Sequence, residues 1–161
     1  MIILGIDPGF AITGFGVVRF EKNKLTLLEY GVISTEKSMP FTKRLLAIRD
    51  KINELCEVYR PDCCAIEELF FNNNAKTAIA AAQGRGIAVG AVAEKNIPVF
   101  EYTPLQVKQA VVGYGRADKK QVQQMVKLIM KMETVAKPDD AADAIAIAIC
   151  HSQSLLTAKP I

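Results

Sequence analysis

The chain has 161 residues, half of them hydrophobic, with a formal net charge of +3. That length and apolar content suit one compact α/β domain over residues 1–161 that needs neither metal nor disulfide staples to hold its core. Four cysteines (Cys56, Cys63, Cys64, Cys150) without a Cys-x-x-Cys spacing, and no signal peptide, predict a reduced, cytoplasmic setting. No stretch approaches the roughly 18 apolar residues of a membrane span. The only histidine, His151, has one neighbouring cysteine and no further ligands, which argues against a zinc site.

The opening run "MIILGI" reads as a strand buried on both faces, and it ends in Asp7-Pro8-Gly9. Asp-Pro-Gly is ordinary turn chemistry, but a strand end is also where a functional carboxylate sits. Gly14 to Phe20 and Leu25 to Ser34 read as two further strands joined by the polar turn "EKNK", a three-strand meander. From Pro40 to Tyr59 the apolar residues Phe41, Leu45, Ile48, Ile52, Leu55 and Tyr59 recur every three or four positions, an amphipathic helix. Arg60-Pro61-Asp62 ends it, and "CCAIE" follows as a short buried strand leading into Glu67 and Glu68.

After Asn72-Asn73-Asn74, an alanine-rich helix carries glycines that lower its intrinsic propensity and suggest close packing. Val99 to Tyr102 is a fifth strand. Thr103-Pro104 caps a short helix to about Val112, and Asp118 caps another from Lys119 to Met132. The final helix is entered through Pro138 in "KPDDAADAIAIAICHSQSLL", and the tail after about residue 152 is expected to be disordered. Strands and helices alternating after a meander predict a five-stranded mixed sheet flanked by helices.

The acids form the notable pattern. Side chains alternate along a strand, so only one of Glu67 and Glu68 can share a site with Asp7. Asp140 and Asp143, three apart, fall on one helix face. Asp139 and Asp140 also suit a helix cap or a favourable dipole contact, but Asp143 lies among small apolar residues where an unpaired carboxylate would be costly. Clustered carboxylates repel unless cations hold them, and hard oxygen donors suit Mg²⁺ or Mn²⁺. Two such ions roughly 4 Å apart activate water and stabilise the leaving oxygen of a phosphodiester.

Between Pro104 and Lys131 the positive residues Lys108, Arg116, Lys119, Lys120, Lys127 and Lys131 outnumber the single acid Asp118 by five. A solvated helix face would look the same, but DNA approaching an acid cluster needs such a surface.

Five segments in order, Gly5-Ile6-Asp7-Pro8-Gly9 with Thr13-Gly14, Ala65-Ile66-Glu67, Gln83-Gly84-Arg85-Gly86, Gln106-Val107-Lys108-Gln109 with Val112-Gly113, and Asp140-Ala141-Ala142-Asp143-Ala144, resemble the RuvC-type Holliday junction resolvases. The likeness runs from residue 2 to about His151. It implies a ribonuclease H-like fold and a homodimer that makes paired, symmetric cuts in four-way junction DNA. It also implies a partnership with the RuvAB branch-migration complex. Asp7, Glu67, Asp140 and Asp143 match the family's metal-binding acids, which selects Glu67 over Glu68 and implies Mg²⁺, with Mn²⁺ able to substitute, at two ions per active site. Lys108 and Lys119 match its basic positions, with Arg85 a weaker candidate. Phe70 and Phe71 resemble its base-stacking aromatics, and the alanine-glycine helix its dimer element. The remaining readings are a related ribonuclease H-like nuclease on another branched or hybrid substrate, and a non-catalytic junction-binding module. An actin-like phosphotransferase would need a longer chain.

Overall fold

The computed structural model describes residues 1–69 and 75–161, with side chains in the helix after residue 74 described from residue 78. In chain order the elements are β1 (Ile2–Asp7), β2 (Ile12–Glu21), β3 (Lys24–Ser34), α1 (Phe41–Tyr59), β4 (Cys63–Glu67), α2 (Ala75–Ala93), β5 (Val99–Tyr102), α3 (Pro104–Val112), α4 (Lys119–Ile129) and α5 (Asp139–Ser154). The sheet runs β3-β2-β1-β4-β5. β1, β2 and β3 pair antiparallel, whereas β1 with β4 and β4 with β5 are parallel. The five-stranded mixed sheet matches the expectation from the sequence, and the β2–β3 turn takes its two central residues, Lys22 and Asn23, at positive φ, as a tight hairpin requires.

Both sheet faces are covered, which is why β1 and β4 are nearly continuous apolar runs. On one face Ile3, Val18, Cys63 and Ala65 pack with Ile145 and Ile149 of α5 and with α3 and α4. On the other, Leu4, Ile6 and Val17 meet Ile48 and Ile52 of α1 and Ala88 and Val92 of α2. Ile145, Ile147 and Ile149 are fully buried, each contributing roughly 1.5–3 kcal/mol.

The close seating of α5 depends on three glycines. A Cβ at Gly5 would meet the Ala144 carbonyl oxygen at 2.2 Å, one at Gly14 the Asp140 carbonyl oxygen at 1.9 Å, and one at Gly16 the Ile145 side chain at 2.9 Å. With alanines at 141, 142, 144, 146 and 148 buried opposite, the helix backbone lies directly on β1 and β2. α3 and α4 are set by local chemistry: Thr103 with Gln106, and Asp118 with Gln121, form reciprocal capping boxes. α4 ends at Ile129, short of the expected Met132, because Lys131 turns left-handed at φ 54°. Beyond α5, the Ile161 N–H donates to the Val99 carbonyl at 2.9 Å.

Candidate active site

Asp7 and Glu67 are the last residues of β1 and β4, adjacent parallel strands with Ile6 opposite Ile66. Ile3 of β1 and Cys63 and Ala65 of β4 face the α5 side, so alternation puts both carboxylates on that side and directs Glu68 away. In the antiparallel ladder Asp7 pairs with Gly14, and Gly14 rests on the Asp140 carbonyl. The first turn of α5 is thereby brought to the end of β1, at the carboxyl ends of parallel strands where open α/β sheets place their sites. Asp143, further along α5, lines a cavity of about 180 Å³ together with Glu67, Lys108, Lys119, Val107 and Val122.

The Asp7 carboxylate is not consumed by the turn that follows it. That loop is closed by the Thr13 hydroxyl donating to the Gly9 carbonyl at 2.6 Å, and by Thr35 donating to the Phe10 carbonyl at 2.5 Å. Burial, then repulsion from Glu67, Asp143 and Asp140, push the Asp7 carboxyl up to about 8, with Lys119 opposing. Glu67 is pushed up to about 7 by burial and by Asp143, against Lys108 and Lys119. Burial also raises Asp143, and Lys119 again opposes. Its ammonium stands 3.2 Å from Asp143 Oδ2 and 3.4 Å from Asp139 Oδ2.

Among the described residues, no three His, Cys, Asp or Glu side chains lie close enough to hold a metal ion as they stand. The donor chemistry nevertheless fits a hard divalent cation: the acids carry only oxygen donors, and the lysines that oppose their raised pKa values, Lys119 for all three and Lys108 for Glu67, leave Asp7 and Glu67 well above the ordinary carboxylate range. Neither Asp139 nor Asp140 caps α5. Pro138 occupies the N-cap, without a side-chain cap bond, and the two aspartates form the first turn.

Lys108 is half-buried at the rim of the cavity, and Lys119 is exposed. Arg85, in α2, donates through Nε to the Glu67 carbonyl at 3.4 Å and through Nη2 to Glu101 Oε1. Phe70 and Phe71 lie outside the described residues. His151 is buried, with Nε2 3.2 Å from Cys63 Sγ and Nδ1 2.7 Å from the Tyr102 hydroxyl, and burial lowers its pKa. Sequence reasoning missed Asp139 as a partner of Lys119, Glu101 as a partner of Arg85, and the helix-seating role of Gly5 and Gly14. The alternation of glycines in β1 and β2 opposite an alanine-rich helix was the available signal for the last.

The sequence matches the family described as "Crossover junction endodeoxyribonuclease RuvC" over residues 3–151. The chain belongs to the RuvC family. A RuvC of Ruminiclostridium cellulolyticum is 59% identical over 154 residues, covering 96% of this chain and 93% of that protein. One of Alkaliphilus metalliredigens is 55% identical over the same length, covering 96% and 94%. The structure of Thermus thermophilus RuvC in complex with Holliday junction substrate superposes with a TM-score of 0.94 at 36% identity, covering 100% of this chain and 99% of that one. The sheet and its flanking helices are thus the ribonuclease H-like RuvC fold.

Proposed function

We propose that this chain is a structure-selective DNA endonuclease that resolves four-way Holliday junctions by paired, symmetric, metal-dependent hydrolysis in homologous recombination and DNA repair. The observation that carries the reading is the gathering of Asp7, Glu67, Asp140 and Asp143 at two parallel strand ends and the facing helix turn, in a chain of the RuvC family. These four carboxylates would hold Mg²⁺, or Mn²⁺ in its place, at two ions per site. Bound there, the cations would supply activation of a water and stabilisation of the leaving oxygen, giving 5′-phosphate and 3′-hydroxyl ends.

The chain's own groups prepare the site. Asp7 and Glu67 are partly protonated near neutral pH, so loading a cation releases protons. Lys119 must surrender Asp143, which frees its ammonium for a DNA phosphate. Lys108 serves the same purpose at the cavity rim, and together they offset the repulsion between acids and DNA. Phe70 and Phe71 would stack on bases near the junction centre.

A homodimer places one such site on each of two strands related by the junction's two-fold symmetry. α2 supports it: Ile79, Gln83, Gly86 and Gly90 are exposed along the helix, and among the described residues a Cβ at Gly86 or Gly90 would meet nothing within 4 Å. A cytoplasmic location and delivery to junctions by the RuvAB complex complete the reading. Among the described residues no helix is long and apolar enough to cross a membrane.

The test is cleavage, with Mg²⁺, of a mobile four-way junction and of linear duplex of the same sequence. Symmetric nicks in the junction alone are expected. Equal cutting of both would remove the junction selectivity, and binding without cutting would make the chain a junction-binding module.

A further inference from the structure

Arg85 occupies an unusual position for a cation beside a DNA-cleaving site. Its side chain is only 18% exposed, against 53% for Lys119, and its ion-pair partner Glu101 is 29% exposed. The guanidinium is committed to protein acceptors at the point where β4 leaves the sheet. Glu68 N–H makes a last bond to the Tyr102 carbonyl at 2.9 Å. The Glu67 carbonyl is held from the α2 side by Arg85 Nε, while Arg85 Nη2 binds Glu101 of β5. One side chain thus ties α2, the end of β4 and β5 together.

The preceding residue adds a second tie. A Cβ at Gly84 would meet the Gly9 carbonyl oxygen at 2.8 Å and Phe10 Cα at 3.3 Å, so the α2 backbone lies against the loop that follows Asp7. Gly84 and Arg85 therefore brace the segments following both acid-bearing strand ends.

We propose that Arg85 is a positioning residue for Glu67, which it holds at the end of β4 so that the Glu67 and Asp7 carboxylates can share a divalent cation, and that it is not a phosphate contact. The inference rests on the reading of Glu67 as a metal-holding carboxylate. Partly buried ion pairs contribute little net stability, whereas groups that orient metal ligands typically change metal affinity by roughly 10–100-fold when removed. Lysine cannot replace arginine here, because a single ammonium lacks the rigid fork that reaches two separate acceptors.

The experiment titrates Mn²⁺ into the full chain without DNA, following free Mn²⁺ by electron paramagnetic resonance, for wild type, Arg85→Lys, Arg85→Gln and Glu101→Gln. Junction affinity is measured in parallel without divalent ions across a salt series. Both Arg85 variants are expected to bind Mn²⁺ roughly 10–100-fold more weakly, Glu101→Gln to change it in the same direction by less, and the salt dependence of junction binding to stay that of wild type. A variant that simply folds poorly would lower the number of binding sites and leave their affinity intact, which would overturn the proposal. So would wild-type Mn²⁺ affinity in Arg85→Lys, or a salt slope smaller by about one, the mark of a lost phosphate contact. Failure of wild type itself to bind Mn²⁺ would count against the metal-dependent nuclease reading, whereas wild-type binding indifferent to Arg85 would sink the positioning role alone.

Discussion

Gly14 and Asp140 meet backbone to backbone: a Cβ on Gly14 would stand 1.9 Å from the Asp140 carbonyl oxygen. Because the obstacle is helix backbone, Gly14→Ala must push the first turn of α5 away from β1. It is expected to cost at least about 1–3 kcal/mol of stability, the usual range for overpacking, and to reduce cleavage more than junction binding. Urea denaturation and paired cleavage and binding assays check this; an unchanged denaturation midpoint with full activity would show that α5 has room to spare.

The raised carboxyls give stability a defined pH dependence. Asp7 moves from 3.8 to about 8 and Glu67 from 4.5 to about 7, so between about pH 4 and 8 the folded chain holds protons that the unfolded chain has released. The unfolded state binding fewer protons means stability falls as pH rises through that window. Metal-free protein should melt lower at pH 8 than at pH 6, Mg²⁺ should restore the difference, and Asp7→Asn should be more stable than wild type at pH 8 in EDTA. Melting temperatures from pH 5 to 9, with and without Mg²⁺, read all three. A wild-type melting temperature that climbs toward pH 8 in EDTA would contradict the acid cluster.

Lys108 and Lys119 differ in what they leave behind. Removing either should weaken junction binding and reduce its salt slope by about one. Lys119 also opposes the upward shift of Asp7, Glu67 and Asp143, whereas Lys108 opposes only that of Glu67. Lys119→Ala should therefore move the pH–rate profile further toward alkaline pH than Lys108→Ala does. Identical profiles for the two variants would remove Lys119 from the acid cluster.

The open face of α2 predicts separable effects on folding and assembly. At Gly86 and Gly90 an added Cβ meets no described atom within 4 Å, so Gly86→Leu and Gly90→Leu start from open positions and gain helix propensity, on the order of 0.8–1 kcal/mol. The monomer should melt no lower, while self-association weakens at least about tenfold, or ~1.4 kcal/mol. Sedimentation velocity across a concentration series measures it; an undisturbed dimer would place the interface elsewhere.

What could be read from the sequence was what depends on near neighbours. Alternation groups Glu67 with Cys63 and Ala65 and turns Glu68 the other way; the structure then shows that α5 covers that face. Thr103 and Asp118 were legible as caps because a cap needs only the next three residues. The first turn of α5 misled for the converse reason: Pro138 takes the cap and Asp139 pairs with Lys119 of α4, a tertiary partner. Arg85 looked like one more basic residue until β5 brought Glu101 beside it. The glycines of α2 resemble one another in sequence, yet Gly84 is pressed against the loop after Asp7, while among the described residues nothing stands over Gly86 or Gly90. Only the packed chain separates those cases.

The role of the Asp7 carboxylate in junction cleavage is read most directly by strand-resolved cleavage of a mobile four-way junction by wild type and Asp7→Asn in Mg²⁺, with junction affinity measured on the same preparations. Symmetric paired nicks by wild type are expected, with cleavage reduced to background in the variant and affinity for the junction retained because the basic surface is untouched. Cleavage by Asp7→Asn at the wild-type rate would contradict that role.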